Sequence, residues 1–304
     1  MWLILAFMSA AMLGCYDSFK KQALKENAVI PVLFLNTLFS SLIFLPFILL
    51  SPSGALDDTI FHVASGGWEM HKYILLKALI VLSSWILGYF GMKHLPLTIV
   101  GPINATRPVM VLVGALLVFG ERLNGWQWLG VLLAVASFLM LSRSGKKEGI
   151  DFKHDHWIYM IVGAAALGAI SGLYDKYLMA PVESGGVGLD RMMVQSWYNI
   201  YQCGMMGVML WLLWWPKHQE TTPFHWSWSI LGVSVFLSTA DFMYFYSLSL
   251  PDAMISIVSM IRRGSVVVSF MFGALFFHEK NLRAKAVDLA LVLLGMVFLY
   301  IGSR

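Results

Sequence analysis

The sequence predicts an all-α membrane protein: ten transmembrane helices in two inverted five-helix repeats, residues 1–149 and 150–304, forming one domain. Three observations carry this. Apolar residues make up 59% of the chain and charged residues 12%, about half the share in soluble domains, with a mean hydropathy of +0.73 over 304 residues. The apolar residues fall into long runs, and a span needs about 20 of them, so ten spans with short loops use the whole length. The chain also matches itself at an offset of 155 residues. Leu82-Ser83 falls on Leu237-Ser238, Tyr89-Phe90 on Tyr244-Phe245, Leu95-Pro96 on Leu250-Pro251 and Arg107 on Arg262, seven identities in 26 ungapped positions.

The runs place helices at roughly 2–19, 30–50, 73–92, 97–119, 125–142, 157–178, 192–215, 227–248, 253–277 and 284–302. Their length and few interior breaks read as helices rather than strands. The breaks are localised: Pro31 and Pro46 lie in the second span, and Gly101-Pro102 and Pro108 flank Arg107. Prolines there free backbone carbonyls, which suits either a hydrated cavity or a plain kink. Ser142 through Gly149 is polar and glycine-rich and joins the halves. Five spans per half is an odd number, so the second half enters from the opposite side, which places a site near the midplane.

Net charge is +4 and the pI about 9. In a soluble protein that would suggest nucleic acid; here basic loops orient the spans, and no nucleic-acid partner is expected. The loops after the odd-numbered spans hold Lys20, Lys21, Lys25, Lys93, Arg143, Lys146, Lys147, Lys153, Lys217, Lys280, Arg283 and Lys285. The other face has Lys72, Arg122, Lys176, Arg191 and Arg304, with Lys77 just inside the third span. This bias puts the first set in the cytoplasm and both termini outside. Cys15 and Cys203 lie inside apolar runs and suggest no disulfide framework. Met12 to Cys15 loosely resembles a lipoprotein cleavage box, but no Lys or Arg precedes it, so the segment reads as a retained first span.

The polar residues inside the spans are the candidate site. A guanidinium at mid-bilayer costs about 2.5–3.5 kcal/mol on insertion scales and keeps its proton. Arg107, Arg262 and the adjacent Arg263 therefore point to a polar cavity shared by the halves. Each offers a planar fork of donors suited to carboxylate or phosphate. The competing role is pairing with the buried acids Asp241, Asp175 or Asp17. Asp241, mid-way along the eighth span, suits neutralising an arginine, binding an amine or exchanging a proton. In the seventh span Gln195 and Asn199 share a face, as do Tyr198 and Gln202, and Asn36 stands at a comparable place in the second. These amides and phenols either line the cavity or bond between helices. Trp85, Tyr89 and Tyr244 supply aromatic walls or core packing. His154-Asp155-His156 lacks further ligands at a metal spacing and reads as solvated, so no metal or other cofactor is expected.

Val118-Phe-Gly-Glu-Arg-Leu-Asn-Gly-Trp-Gln-Trp-Leu-Gly130 resembles the Gly-Glu turn that closes the fourth span of EamA-type drug/metabolite transporters. Its second copy is Phe276-Phe-His-Glu-Lys-Asn-Leu282, with His278 in place of the usual Gly. Leu95-Pro96 and Leu250-Pro251 are similar to the family's entry to the fourth and ninth spans. Gly14 to Lys21, repeated at Gly168 to Lys176, is similar to its Gly-then-Lys opening. The resemblance implies ten helices, pseudo-two-fold symmetry, alternating access, and bracing roles for Glu121 and Glu279. Its cargo ranges over amino acids, sugars, sugar phosphates, nucleotide sugars and polyamines.

The expectation is a secondary active transporter of a small anionic or zwitterionic metabolite, such as an amino acid or phosphorylated compound, and not an enzyme. It would sit in the cell membrane (the inner one of a Gram-negative cell), with the bilayer, the metabolite and a coupling ion as partners and the oligomeric state open. Flipping of an anionic lipid-linked substrate is the alternative within the class. An intramembrane enzyme using Asp241 and His278 on a lipid-linked substrate is the alternative outside it.

Overall fold

A computed structural model describes residues 2–107, 109–110, 124–146, 152–250, 258, 261–277 and 282–302. Pro108, Glu121, Arg122, Lys147, Pro251, His278, Glu279, Lys280 and Arg304 lie outside them. The described residues are helical, without a strand. The helices are α1 (Trp2–Ala23), α2 (Val29–Leu50), α3 (Trp68–His94), α4 (Leu97–Ala105), α5 (Gly125–Lys146), α6 (His156–Met179), α7 (Arg191–Met209), α8 (Trp228–Ser249), α9 (Ser265–Leu275) and α10 (Leu282–Gly302). Six stretches among the described residues are long and apolar enough to cross a membrane, in α1, α2, α3, α6, α8 and α10.

The helices depart from the expected spans for chemical reasons. α7 is not among the six because Gln195, Asn199 and Gln202 dilute its apolar content. Beyond Met209 it widens into a π-turn at Leu210–Trp214 and tightens to 3-10 at Trp215–Lys217, next to Pro216. α4 stops at Ala105. Pro102 lies inside it, and the Thr106 hydroxyl donates to the Ile103 carbonyl at 2.7 Å, drawing a backbone acceptor into a side-chain bond. α3 starts earlier than its apolar run, at Trp68, behind the extended Gly67.

Packing joins the two halves of the chain. α1 lies along α8, α3 along α6, α2 along α7, and α5 along α10, while α9 packs on both α1 and α4. Serine hydroxyls bridge these pairs: Ser9 donates to Ala240 O at 2.7 Å, Ser84 to Ala164 O at 2.7 Å, Ser41 to Asn199 O at 2.8 Å and Ser137 to Asp288 O at 2.7 Å. Small residues set the approach where serine does not. A Cβ on Gly91 would meet Ile161 at 2.5 Å, and one on Gly232 would meet Phe19 at 2.6 Å. At one end Asn27 clamps the segment before α8, giving its amide to His225 O at 2.7 Å and accepting from His225 N at 2.9 Å.

Two residues read as loop charges are buried instead. Lys20 points back along α1 to Asp17 and Tyr16, and Lys285 is wholly buried in α10. Lys77, from the opposite set, is buried too. Both sets lose by this, so the bias between loops keeps its direction.

Candidate functional site

The long apolar helices enclose a cavity of about 150 Å³ between α1, α3, α4, α6 and α8 and the segment leading into α9. Of the residues singled out from sequence, Arg107, Arg262, Arg263, Asp241, Tyr198, Trp85, Tyr89 and Tyr244 line it. Asn36, Gln195, Asn199 and Gln202 do not. They are buried between α2, α7 and α8, where Asn36 donates to the Tyr89 hydroxyl at 3.0 Å and so supports the wall from behind.

The charges of the cavity sort into pairs with a remainder. Its lining holds five cations, Lys20, Lys77, Arg107, Arg262 and Arg263, against three carboxylates, Asp17, Asp175 and Asp241. Lys77 on α3 pairs with Asp175 on α6, both nearly inaccessible. Arg262 pairs with Asp241 and lies 4.2 Å over the Tyr244 ring, while Tyr198 donates its hydroxyl to the other Asp241 oxygen at 2.8 Å. Lys20 donates to Asp17 at 3.1 Å, and Ser269 of α9 donates to the second Asp17 oxygen at 3.2 Å. Every carboxylate in the lining is therefore occupied.

Two guanidinium groups are left over. Arg107 and Arg263 have no carboxylate partner among the described residues. Arg107 donates to Asn104 Oδ1 at 3.0 Å, one turn back, while its buried Nε has no protein acceptor. Its guanidinium rests on bare backbone: a Cβ on Gly168 of α6 would stand 2.7 Å from Cζ and Nη1. Gly168 thus makes room for the charge by having no side chain. The ion pairing considered for both matched arginines is realised at Arg262, and not at Arg107.

Sequence reasoning missed the inter-half role of Lys77 and the place of Tyr16, whose ring carries the Lys20 ammonium at 4.3 Å. Lys77 carried one usable signal, its position inside an apolar run. In His154-Asp155-His156 both histidines are exposed, as expected, while Asp155 accepts from Trp157 N at 2.9 Å at the start of α6. Among the described residues no three His, Cys, Asp or Glu side chains stand where they could hold a metal.

Residues 1–143 match the model of the EamA-like transporter family. Over that stretch, a little under half of the chain, the sequence is similar to EamA-like transporters. Twenty-seven solved chains match the structure, among them a crystal structure that superposes with a TM-score of 0.66 at 11% identity, over 99% of this chain and 97% of the other. At that identity the likeness speaks to fold alone. No curated protein matches. The six long apolar helices among the described residues are those of a multi-pass membrane protein, in keeping with that similarity.

Proposed function

We propose that this chain is a secondary active transporter of the cell membrane, moving a small anionic or zwitterionic metabolite by alternating access. The observation that carries the reading is the unmatched pair of guanidiniums. With all three carboxylates of the lining occupied, Arg107 and Arg263 line a small cavity without a carboxylate partner among the described residues, and the buried Arg107 Nε has no acceptor. A carboxylate or phosphate supplies the missing acceptors in a fork geometry and offsets the charge. In this reading Arg263, expected beside Arg262, joins Arg107 at the anion, and Arg262 orients the aromatic wall while held by Asp241.

An arrangement of ten spans in inverted five-helix halves is supported by the reciprocity of the packing. Exchanging each helix for its duplicate turns the α1–α8 contact into α6–α3 and the α1–α9 contact into α6–α4, and all four are present. The serine bridges follow the same exchange: Ser9 and Ala164 are 155 residues apart, and each marks the crossing in its own pair. In such an arrangement two halves rock about a central site. Lys77–Asp175 then ties α3 of one half to α6 of the other, an ion pair that opening on that side must break.

The test is uptake into proteoliposomes by purified protein. Arg107→Ala is expected to lose about 100-fold or more in flux for an acidic metabolite, with the helical spectrum and melting retained. Normal flux from that variant refutes the assignment. Thermal shift with amino acids, phosphorylated compounds and cations narrows the cargo: acidic ligands stabilise the wild type, and stabilisation by cationic compounds alone refutes the anion preference.

A further inference from the structure

A second, open cavity of about 1070 Å³ lies at the end of the molecule where α1 turns into α2 and α3 stops. Its lining includes Lys21, Lys25 and Lys93, Thr222 from the segment before α8, and Phe276 and Phe277 just past α9. Three ammoniums stand there against one carboxylate, that of Glu26, so the cleft is basic.

The cleft abuts the inner cavity. On α1 Lys20 lines the inner cavity and the next residue, Lys21, the outer one; on α3 the same holds of Met92 and Lys93. Along these helices the two therefore lie within about one turn, roughly 5 Å, of each other. Tyr89 and Met92, both nearly inaccessible, stand at this boundary. So does the Lys20 ammonium, 4.3 Å from the centre of the Tyr16 ring and 5.2 Å from that of Tyr89.

Two of the cleft's lysines are held in place. Lys21 donates to the Met92 and Leu95 carbonyls at 2.7 and 2.6 Å. Lys93, half-buried, donates to Thr222 Oγ1 at 2.9 Å across 129 residues of sequence. Among the described residues Lys93 has no carboxylate within ion-pair reach. Orienting a membrane span needs only that loop lysines exist; it does not need one fixed, half out of water, on the wall of a cleft.

We propose that the cleft is an outer anion site, which gathers a phosphate or carboxylate group from solution onto Lys93 and Thr222 before it reaches the inner cavity. The site serves the transporter proposed above and rests on that reading. An ammonium has three hydrogens and Thr222 takes one, so the others remain for an oxyanion, to which the Thr222 hydroxyl can also donate. A cleft lined by one sign of charge focuses its field and concentrates counter-ions, so Lys21 and Lys25 contribute without touching the ligand.

The experiment is lysine footprinting of the full-length protein in detergent, with an N-hydroxysuccinimide ester as acylating reagent and mass spectrometry as the readout at each lysine. Sodium phosphate replaces sodium chloride at constant pH and ionic strength. The expected result is a saturable slowing at Lys93, about 5-fold or more near saturation, with the exposed Lys72 and Lys217 outside the cleft unaffected. Thr222→Val raises the phosphate needed for half-protection about 3- to 10-fold. Arg107→Ala keeps the protection, so failure of the inner site and failure of the cleft are read separately. No slowing at Lys93, or equal slowing at all three lysines, overturns the proposal. So does protection that Arg107→Ala abolishes, or that the folded Thr222 variant leaves unchanged. A lipid headgroup is the other source of phosphate. In nanodiscs, protection of Lys93 by phosphatidylglycerol over phosphatidylcholine, with nothing added by free phosphate, overturns the proposal as well.

Discussion

Gly168→Ala separates the place of Arg107 from the stability of the fold. Gly168 lies inside α6, and its absent side chain is the floor on which the Arg107 guanidinium rests. An added methyl would sit 2.7 Å from Cζ and Nη1, against about 3.4 Å for an ordinary contact, so the guanidinium must retreat by about 0.7 Å. The obstruction is the far end of a flexible side chain, so the backbone need not move. Alanine is also the better helix former, by about 1 kcal/mol. The variant should therefore melt at or slightly above the wild-type temperature. A misplacement approaching 1 Å at a binding group costs up to about 100-fold, so flux should fall by about 10- to 100-fold. The assay is proteoliposome uptake beside a melt of the same preparation. Gly168→Ala and Arg107→Ala should not add, because the methyl acts only through the guanidinium. Full flux in Gly168→Ala, or further loss when it is added to Arg107→Ala, would refute the reasoning.

Three other outcomes follow from the packing. Gly14→Ala, in α1, should behave oppositely: its methyl would run into Val268 Cβ and stand 2.9 Å from the Ser265 carbonyl, backbone that cannot swing away, and the melt should show a loss of about 1–3 kcal/mol. Asp175→Asn strands the buried Lys77 ammonium and should cost about 3–5 kcal/mol, a fall in melting temperature of about 10 °C, whereas Lys77→Met with Asp175→Leu recovers most of it; unchanged melting of the single variant contradicts the pair. Asn27→Leu removes both bonds to the His225 backbone and should cost about 2–3 kcal/mol, seen as earlier unfolding, with protease sensitivity concentrated before α8.

The membrane class and most helices were legible because they depend on run length alone, a property each segment carries by itself. α7 shows where that stops. The same amides that make it interesting lower its hydropathy, so a helix facing other helices reads as less apolar than one facing lipid. Ion pairing was less legible still. Lys77 and Asp175 are 98 residues apart, and nothing in either segment names the other; the packing of α3 on α6 does. The polar face of α7 was visible, but its direction was not. Periodicity puts Gln195, Asn199 and Gln202 on one side, and only the neighbours decide that this side meets α2 and α8, with Tyr198 alone reaching the cavity.

The divergence between the two matched arginines was present in the sequence in a form easy to overlook. At the 155-residue offset Asp241 falls on Ile86, and Arg263 falls on Pro108. The second half therefore carries an acid for its arginine where the first half has an isoleucine, and a second arginine where the first has a proline. Two identical halves would offer the cavity either two bare arginines or two neutralised ones. The observed chain instead fixes Arg262 with Asp241 and Tyr198, and keeps Arg107 with Asn104 and the floor of Gly168. Asp241→Ile would restore the symmetry. It should free Arg262 and leave a third guanidinium in the lining without a carboxylate, so an acidic ligand should raise the melting temperature of this variant more than that of the wild type. An equal or smaller ligand-induced shift would mean that the carboxylate was not what kept Arg262 from the anion.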